Sequence, residues 1–281
     1  MVRIVTDTTS GLPLSTVKAI GVPMLPQIII FGEQAYRDDT ELDTATFLQK
    51  LRASPSLPKT AAPPPALYEP IFRPMVAAGD TIICLHPSSD VSGTVRSATV
   101  AAEGFPGADI RVVDTRTVAA PLAAMVLEAA RWAREGVDGD TIVARVRGLM
   151  ARQHIYFVVD TLEYLHKGGR IGGAKALVGG LLQVKPILML YNGRVEPFEQ
   201  QRTARRALAR LRELVLTQCP ASEDAHLAVM HADAAQEAQA LASEFAATLK
   251  LANVPIYQLP PAIVVHGGPG ALAASFFSSP A

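Results

Sequence analysis

The sequence predicts an α/β chain in two lobes. The N-terminal lobe is expected to be an α/β/α sandwich on a mostly parallel sheet, and the C-terminal lobe α+β with an antiparallel sheet. Three observations lead there. In the first half, short apolar runs rich in β-branched residues alternate with stretches of helical periodicity, as in sheets covered by helices. In the second half, Asn192-Gly193 separates two apolar runs, a strong short-range hairpin signal. Finally, 281 residues are many for one compact domain.

The first half begins with an apolar strand at Arg3–Thr6, closed by the polar group Asp7-Thr8-Thr9-Ser10. Val22–Phe31 reads as a second strand, and Thr81–Leu85 as a third. Then come the polar loop HPSSDVSGT, a helix from about Thr94 to Glu103, and a fourth strand at Arg111–Asp114. Ser54–Pro65 carries five prolines and reads as a surface loop without regular structure. Pro121–Glu135 and Asp140–Arg152 have helical periodicity, with Asp140 as N-cap. The order is Rossmann-like, and in such sheets ligands gather at the carboxyl ends of the strands. Asp7, Ser88–Thr94 and Asp114–Thr117 all sit there.

In the second half, Ile155–Val159, Leu227–Met230 and Ile263–Val265 read as strands, and Ile187–Tyr191 with Val195–Phe198 as the hairpin. Ala204–Thr217 and Gln236–Leu249 read as helices, and the chain closes on the apolar ALAASFF. The expected lobes are residues 1–155 and 156–281.

Composition narrows the function classes. Lys and Arg total 26, equal to Asp and Glu, so no global field draws the chain to nucleic acid or a membrane. Its two cysteines, Cys84 and Cys219, have neither metal-ligand spacing nor the density of a disulfide framework. The opening MVRIVTD reads as a strand, not a signal peptide, and every apolar run is short of the roughly 20 residues a bilayer span needs. A reduced, cytoplasmic, soluble protein without stable membrane insertion is expected.

Several motifs could hold an anion, each with a plainer role beside it. In SSDVSGT, Ser92 is placed to cap the following helix, whose free N–H groups attract negative charge, and Gly93 would let a ligand approach the backbone. Ser92 could equally be a cap and nothing more. His266, in VVHGGPG at the end of an apolar strand, could donate to a carboxylate or phosphate, or simply bond a carbonyl. Thr60, in KTAAPPP, could reach a ligand or bond its own turn. GGRIGG (168–173) fits neither the P-loop nor GxGxxG, leaving a flexible turn that presents Lys167 and Arg170.

From His166 to Arg212 there are ten Lys and Arg against Glu196 and Glu199, which suggests an anionic partner or ligand mouth. Arg205–Arg212 read more simply as a solvated helix face. The segment lacks interleaved aromatics for stacking bases, so nucleic acid is not expected as a partner. No nucleophile elbow, HExxH or paired-cysteine metal site occurs. Asp7 follows a strand where a phosphotransferase nucleophile could sit, but no second carboxylate lies two residues on to share magnesium. Capping of the next turn is the simpler role for Asp7.

In order along almost the whole chain, VTDTTSGLP, KTAAPPP, SSDVSGTVRSA, VVDTRTVAA, TLEYLHKGGRIGG, LLQVKPIL…NGRVEPFEQQRT and HGGPGAL resemble the motifs of the DegV family. The resemblance spans residues 2–280 as a single unit. It implies a non-catalytic, cofactor-free carrier of a long-chain fatty acid such as palmitate. A separate fatty acid kinase would phosphorylate the bound acid to an acyl phosphate, a phospholipid precursor. It further implies that Thr60 and Ser92 hold the carboxylate, with Gly93 and Thr94 beside them and His266 near the head group. Lys167, Arg170 and Arg202 would face the kinase. Ala61, Ala62 and Pro65 depart from the polar residues usual in that loop, and Asp90 is unusual in its segment; its carboxylate is expected to point away from the acid.

A tail of about 14 methylenes at about 0.8 kcal/mol each contributes on the order of 11 kcal/mol before association costs. Ile28–Ile30 and Leu177–Leu182 are candidate walls for it, in a tunnel expected between the lobes. Two alternatives stand beside this reading. One is a metal-dependent phosphotransferase using Asp7 or Asp114; the other is a binding module for a different apolar anion, such as an isoprenoid or retinoid acid.

Overall fold

In the first half, β-branched runs form a parallel sheet. The computed structural model describes residues 1–178 and 184–280. It divides into two units, the first comprising Met1–Ser54, Pro58–Ala151 and Pro260–Ala262, and the second most of the remainder.

In the first unit the chain runs β1 (Val2–Asp7), α1 (Leu14–Ala19), β2 (Met24–Leu25), β3 (Ile28–Phe31) and β4 (Gln34–Arg37). It continues with α2 (Thr44–Ala53), β5 (Lys59–Ala61), α3 (Glu69–Ala77), β6 (Thr81–His86) and α4 (Thr94–Glu103), then β7 (Ile110–Asp114), α5 (Ala120–Arg134) and α6 (Gly139–Met150). Strands β2-β1-β6-β7 form a sheet in which every pairing is parallel. Strand alternation distributes its side chains. Val5, Ile82 and Cys84 share one face with Tyr68, Phe72, Ala98 and Ala101 from α3, α4 and the turn before α3, while α5 packs on β1 and β6. A fully buried side chain such as Phe72 contributes roughly 1.5–3 kcal/mol of transfer free energy.

Several expectations are corrected here. The Val22–Phe31 run is two strands, β2 and β3, interrupted at Pro26-Gln27 because proline cannot donate to a ladder. The proline-rich stretch is not wholly irregular. Its prolines leave Lys59–Ala61 clear, and β5 there pairs antiparallel with β3, setting Thr60 opposite Ile29. Asp138, not Asp140, caps α6, its carboxylate accepting from Thr141 N.

The second unit holds β8 (Gln153–Val158), α7 (Glu163–Lys167), β9 (Lys185–Tyr191), β10 (Arg194–Gln201) and α8 (Ala204–Gln218). β11 (Ala228–His231), α9 (Ala235–Leu249), β12 (Ile256–Gln258), most of α10 (Pro261–Gly267) from Ile263 on, and β13 (Leu272–Phe277) complete it. Its sheet order is β10-β9-β8-β13-β11-β12, antiparallel except for the parallel β11–β12 pair. Asn192-Gly193 does turn the β9–β10 hairpin. Leu211, Leu214 and Phe245 of α8 and α9 pack on Tyr156, Val229, Leu272, Ala274 and Phe276 of the strands. Ile263–Val265, expected as a strand, lies inside α10. Pro261 opens that helix, where its missing N–H costs nothing, and local context overrides β-branched propensity. Of the Leu177–Leu182 wall, residues 179–182 lie outside the described residues. Among the described residues, no helix is long and apolar enough to cross a membrane.

Candidate functional site

β1, β6 and β7 end side by side at Asp7, His86 and Asp114, so three carboxyl-end loops share one edge of the parallel sheet. Asp7 is fully buried and caps the turn after it, as expected: Oδ1 accepts from Thr9 N at 2.9 Å and Thr9 Oγ1 at 2.6 Å. The same oxygen accepts from Gln27 Nε2 at 3.0 Å, and Oδ2 lies 2.8 Å from His86 Nδ1. His86 Nε2 meets the Tyr68 hydroxyl at 3.3 Å. Burial holds the Tyr68 phenol well above its usual range, so it keeps its proton. A carboxylate only accepts, so His86 Nδ1 is the donor toward Asp7.

Gln27 extends the network to the start of α4, because its Nε2 also donates to Thr94 Oγ1 at 2.9 Å. Thr94 is fully buried, while Ser92 is half-buried. Their hydroxyl oxygens are 2.8 Å apart, and Thr94 N donates to Ser92 Oγ at 3.3 Å. Gly93, not Ser92, is the helix N-cap residue, so Ser92 stands one position further out and bonds the first helical N–H. Gly93 has an ordinary negative φ, and an added Cβ would meet the Ala62 methyl at 3.6 Å, a normal contact. What lies against Gly93 is thus the loop carrying Thr60, and Ser97 Oγ also donates to Pro63 O in that loop.

Neighbouring carboxylates are engaged. Asp90 pairs with Arg116 at 2.6 Å, which offsets its charge near Ser92. Asp114 accepts from Arg116 N and the Ser89 hydroxyl. Both oxygens of Asp7 and of Asp114 thus accept from protein donors, Asp7 fully buried and Asp114 partly exposed. Asp38 Oδ1 accepts from Thr8 Oγ1 and Gln27 N, both at 2.8 Å. Burial pushes its carboxyl up to about 7 although these donors pull the other way.

Thr60, Ser92, Gly93 and Thr94 lie in the first unit, and Lys167, Arg170, Arg202 and His266 in the second. His266 sits on the last turn of α10, not at a strand end. Its ring occupies the space where a Cβ on Gly168 would fall. Burial, then the nearby Arg170 charge, pushes His266 down to about 4, so it is neutral at neutral pH. Arg170 Nη1 donates to Gly168 O at 2.7 Å.

The GGRIGG stretch is packed, not a flexible turn. Gly172 has φ +51°, and its missing side chain leaves room for the Val195 carbonyl on β10. Lys167 is exposed and pairs with Glu163, and Arg202 is exposed. Arg205, Arg206 and Arg212 are exposed as expected for a solvated helix face, with Arg210 on Glu199 and Glu213 and Arg212 on Glu244.

Gln27, Tyr68, His86 and Asp38 are absent from the sequence-based candidates. Gln27 leaves a trace, a lone amide in the apolar run PMLPQIII, and His86 another, a histidine closing TIICL. For Tyr68 and Asp38 no local pattern signals the role.

A family model described as that of an uncharacterised protein of the DegV family matches residues 1–279. A DegV domain-containing protein of Halalkalibacterium halodurans is 34% identical over 277 residues, covering 98% of each chain. A DegV family protein from Thermus thermophilus, described by its fatty acid binding, superposes with TM-score 0.89 at 31% identity, over 99% of both chains. DegV of Bacillus subtilis, described as a fatty acid binding protein, gives TM-score 0.87 at 30% identity, again over 99% of both. Matched in sequence and architecture over nearly its full length, the chain belongs to the DegV family.

Proposed function

We propose that this chain is a non-catalytic carrier of one long-chain fatty acid, whose carboxylate it offers to a separate fatty acid kinase. The observation that carries the reading is the hydroxyl cluster at the start of α4, where Ser92 is half-buried above a buried Thr94 and the Thr60 loop packs alongside. Hydroxyls suit this task because they donate to a carboxylate or an acyl phosphate alike, both presenting oxygens. The two structural relatives described above as fatty-acid-binding proteins support the ligand class.

In this reading Thr60 and Ser92 hold the carboxylate, with Gly93 and Thr94 at the helix start. His266, in the second unit, is neutral and would bring no counter-charge to an acid. Lys167, Arg170 and Arg202 serve the kinase. The tail supplies most of the affinity and the hydroxyls set orientation.

The test is binding of palmitate to the wild type and to Ser92→Ala, Thr60→Ala and the double variant. Each single change is expected to cost about 1 kcal/mol, one neutral hydrogen bond. In a reconstituted kinase assay the double variant is expected to yield less acyl phosphate. Unchanged affinity and unchanged yield contradict the assignment.

A further inference from the structure

Ser92 can serve an anion only if its hydroxyl proton is free to point at it, and the buried contacts behind Ser92 decide that. Gln27 Nε2 lies 3.0 Å from an Asp7 carboxylate oxygen and 2.9 Å from Thr94 Oγ1. The carboxylate requires the amide NH₂, not the amide oxygen, on that side, and its two hydrogens then serve Asp7 and Thr94. Thr94 Oγ1 is thus an acceptor toward Gln27, and a nitrogen with both hydrogens committed cannot accept the Thr94 proton in return.

Among the described residues, Ser92 Oγ, at 2.8 Å, is the acceptor within reach of the Thr94 hydroxyl. The opposite direction, Ser92 donating to Thr94, would leave a proton without a partner on a fully buried hydroxyl, which costs more than leaving one on the half-buried Ser92. Thr94 N adds a second donor to Ser92 Oγ. With two donors directed at its oxygen, Ser92 keeps its own proton for an outside acceptor.

We infer that Gln27 and Thr94, anchored by Asp7, are positioning residues that orient the Ser92 hydroxyl as a hydrogen-bond donor, giving this site its preference for an acid over a neutral head group. The inference deepens the fatty-acid reading and rests on it. Neither Gln27 nor Thr94 needs to touch the ligand: each acts by fixing the direction of the next hydrogen bond.

The experiment measures Kd for palmitate and for 1-hexadecanol, by displacement of a fluorescent alkyl probe, on wild type, Ser92→Ala, Thr94→Val, Thr94→Ser and Gln27→Met. Thr94→Val keeps the volume and removes the donor. It is expected to weaken palmitate about fivefold, one neutral hydrogen bond, and hexadecanol clearly less, because an alcohol can donate into the Ser92 oxygen that Thr94 no longer fills whereas a carboxylate only accepts. Thr94→Ser, which restores the hydroxyl, is expected to recover the preference. Adding Thr94→Val to Ser92→Ala is expected to cost nothing further, because the relay then has no end.

Gln27→Met provides an independent break if Thr94→Val folds poorly; it should lose the same acid preference. Equal losses for both ligands, or a full extra fivefold in the Ser92→Ala background, would overturn the inference and leave the carrier reading intact. A wild type that binds no palmitate overturns both, and that outcome is distinct because it precedes any substitution.

Discussion

His266 links residue chemistry to a measurable pH response. Its ordinary value is 6.5 and burial with Arg170 lowers it to about 4. Between those values the unfolded chain takes up a proton that the native protein refuses, so acid favours unfolding. Stability attributable to His266 is fully present above about 6.5 and is lost as pH falls toward 4, by up to about 3 kcal/mol. His266→Gln should flatten that part of a stability-versus-pH curve from chemical denaturation; an unchanged slope would contradict it. Asp38 has the opposite sign. Raised to about 7, it favours the native state most below its ordinary 3.8, and that contribution is lost as pH rises through 7. Asp38→Asn should therefore gain relative to wild type on the alkaline side, read from the same curves. What sequence reasoning could reach at this scale was uneven. Ser92 and Thr60 stood in recognisable loops and Asp7 was legible as a cap, but Gln27 lies 67 residues from Thr94 and His86 lies 79 from Asp7. Contacts that distant leave no local pattern.

Elements were legible where periodicity and a boundary signal agreed. Helix α4 runs over Thr94–Glu103 as expected, and Asn192-Gly193 turns the hairpin it signals. They were misread where propensity and context conflicted, as in Ile263–Val265, where β-branched residues follow a proline that opens α10. The small sheet β4-β3-β5 was also missed, because three- and four-residue strands carry too little pattern. Gly172 tests the packing of the glycine segment directly. With φ +51° and the Val195 carbonyl in the space of a Cβ, Gly172→Ala is expected to destabilise the protein by about 1–3 kcal/mol. Gly148, with no atom within 4 Å of its Cβ position, is the control: Gly148→Ala lies inside α6 and should be neutral or stabilising by about 0.5–1 kcal/mol. A thermal melt of both variants decides, and equal behaviour would contradict the close approach of residue 172 to β10.

At the scale of the whole molecule, fold class was the most legible feature, since alternating strands and helices give way to hairpin chemistry across the chain. A balanced net charge, with 26 residues of each sign, leaves no overall field, so in the proposed carrier selectivity rests on local groups such as the Ser92 hydroxyl. The carrier reading makes an apolar tail the main source of affinity, on the order of 11 kcal/mol before costs. Such a ligand should survive purification under native conditions. Mass spectrometry of an organic extract from freshly purified, natively folded protein tests this most directly. The account predicts long-chain fatty acid in near-stoichiometric amount, with its chain length revealed at once. A clean extract, followed by no uptake of added fatty acid, would contradict it.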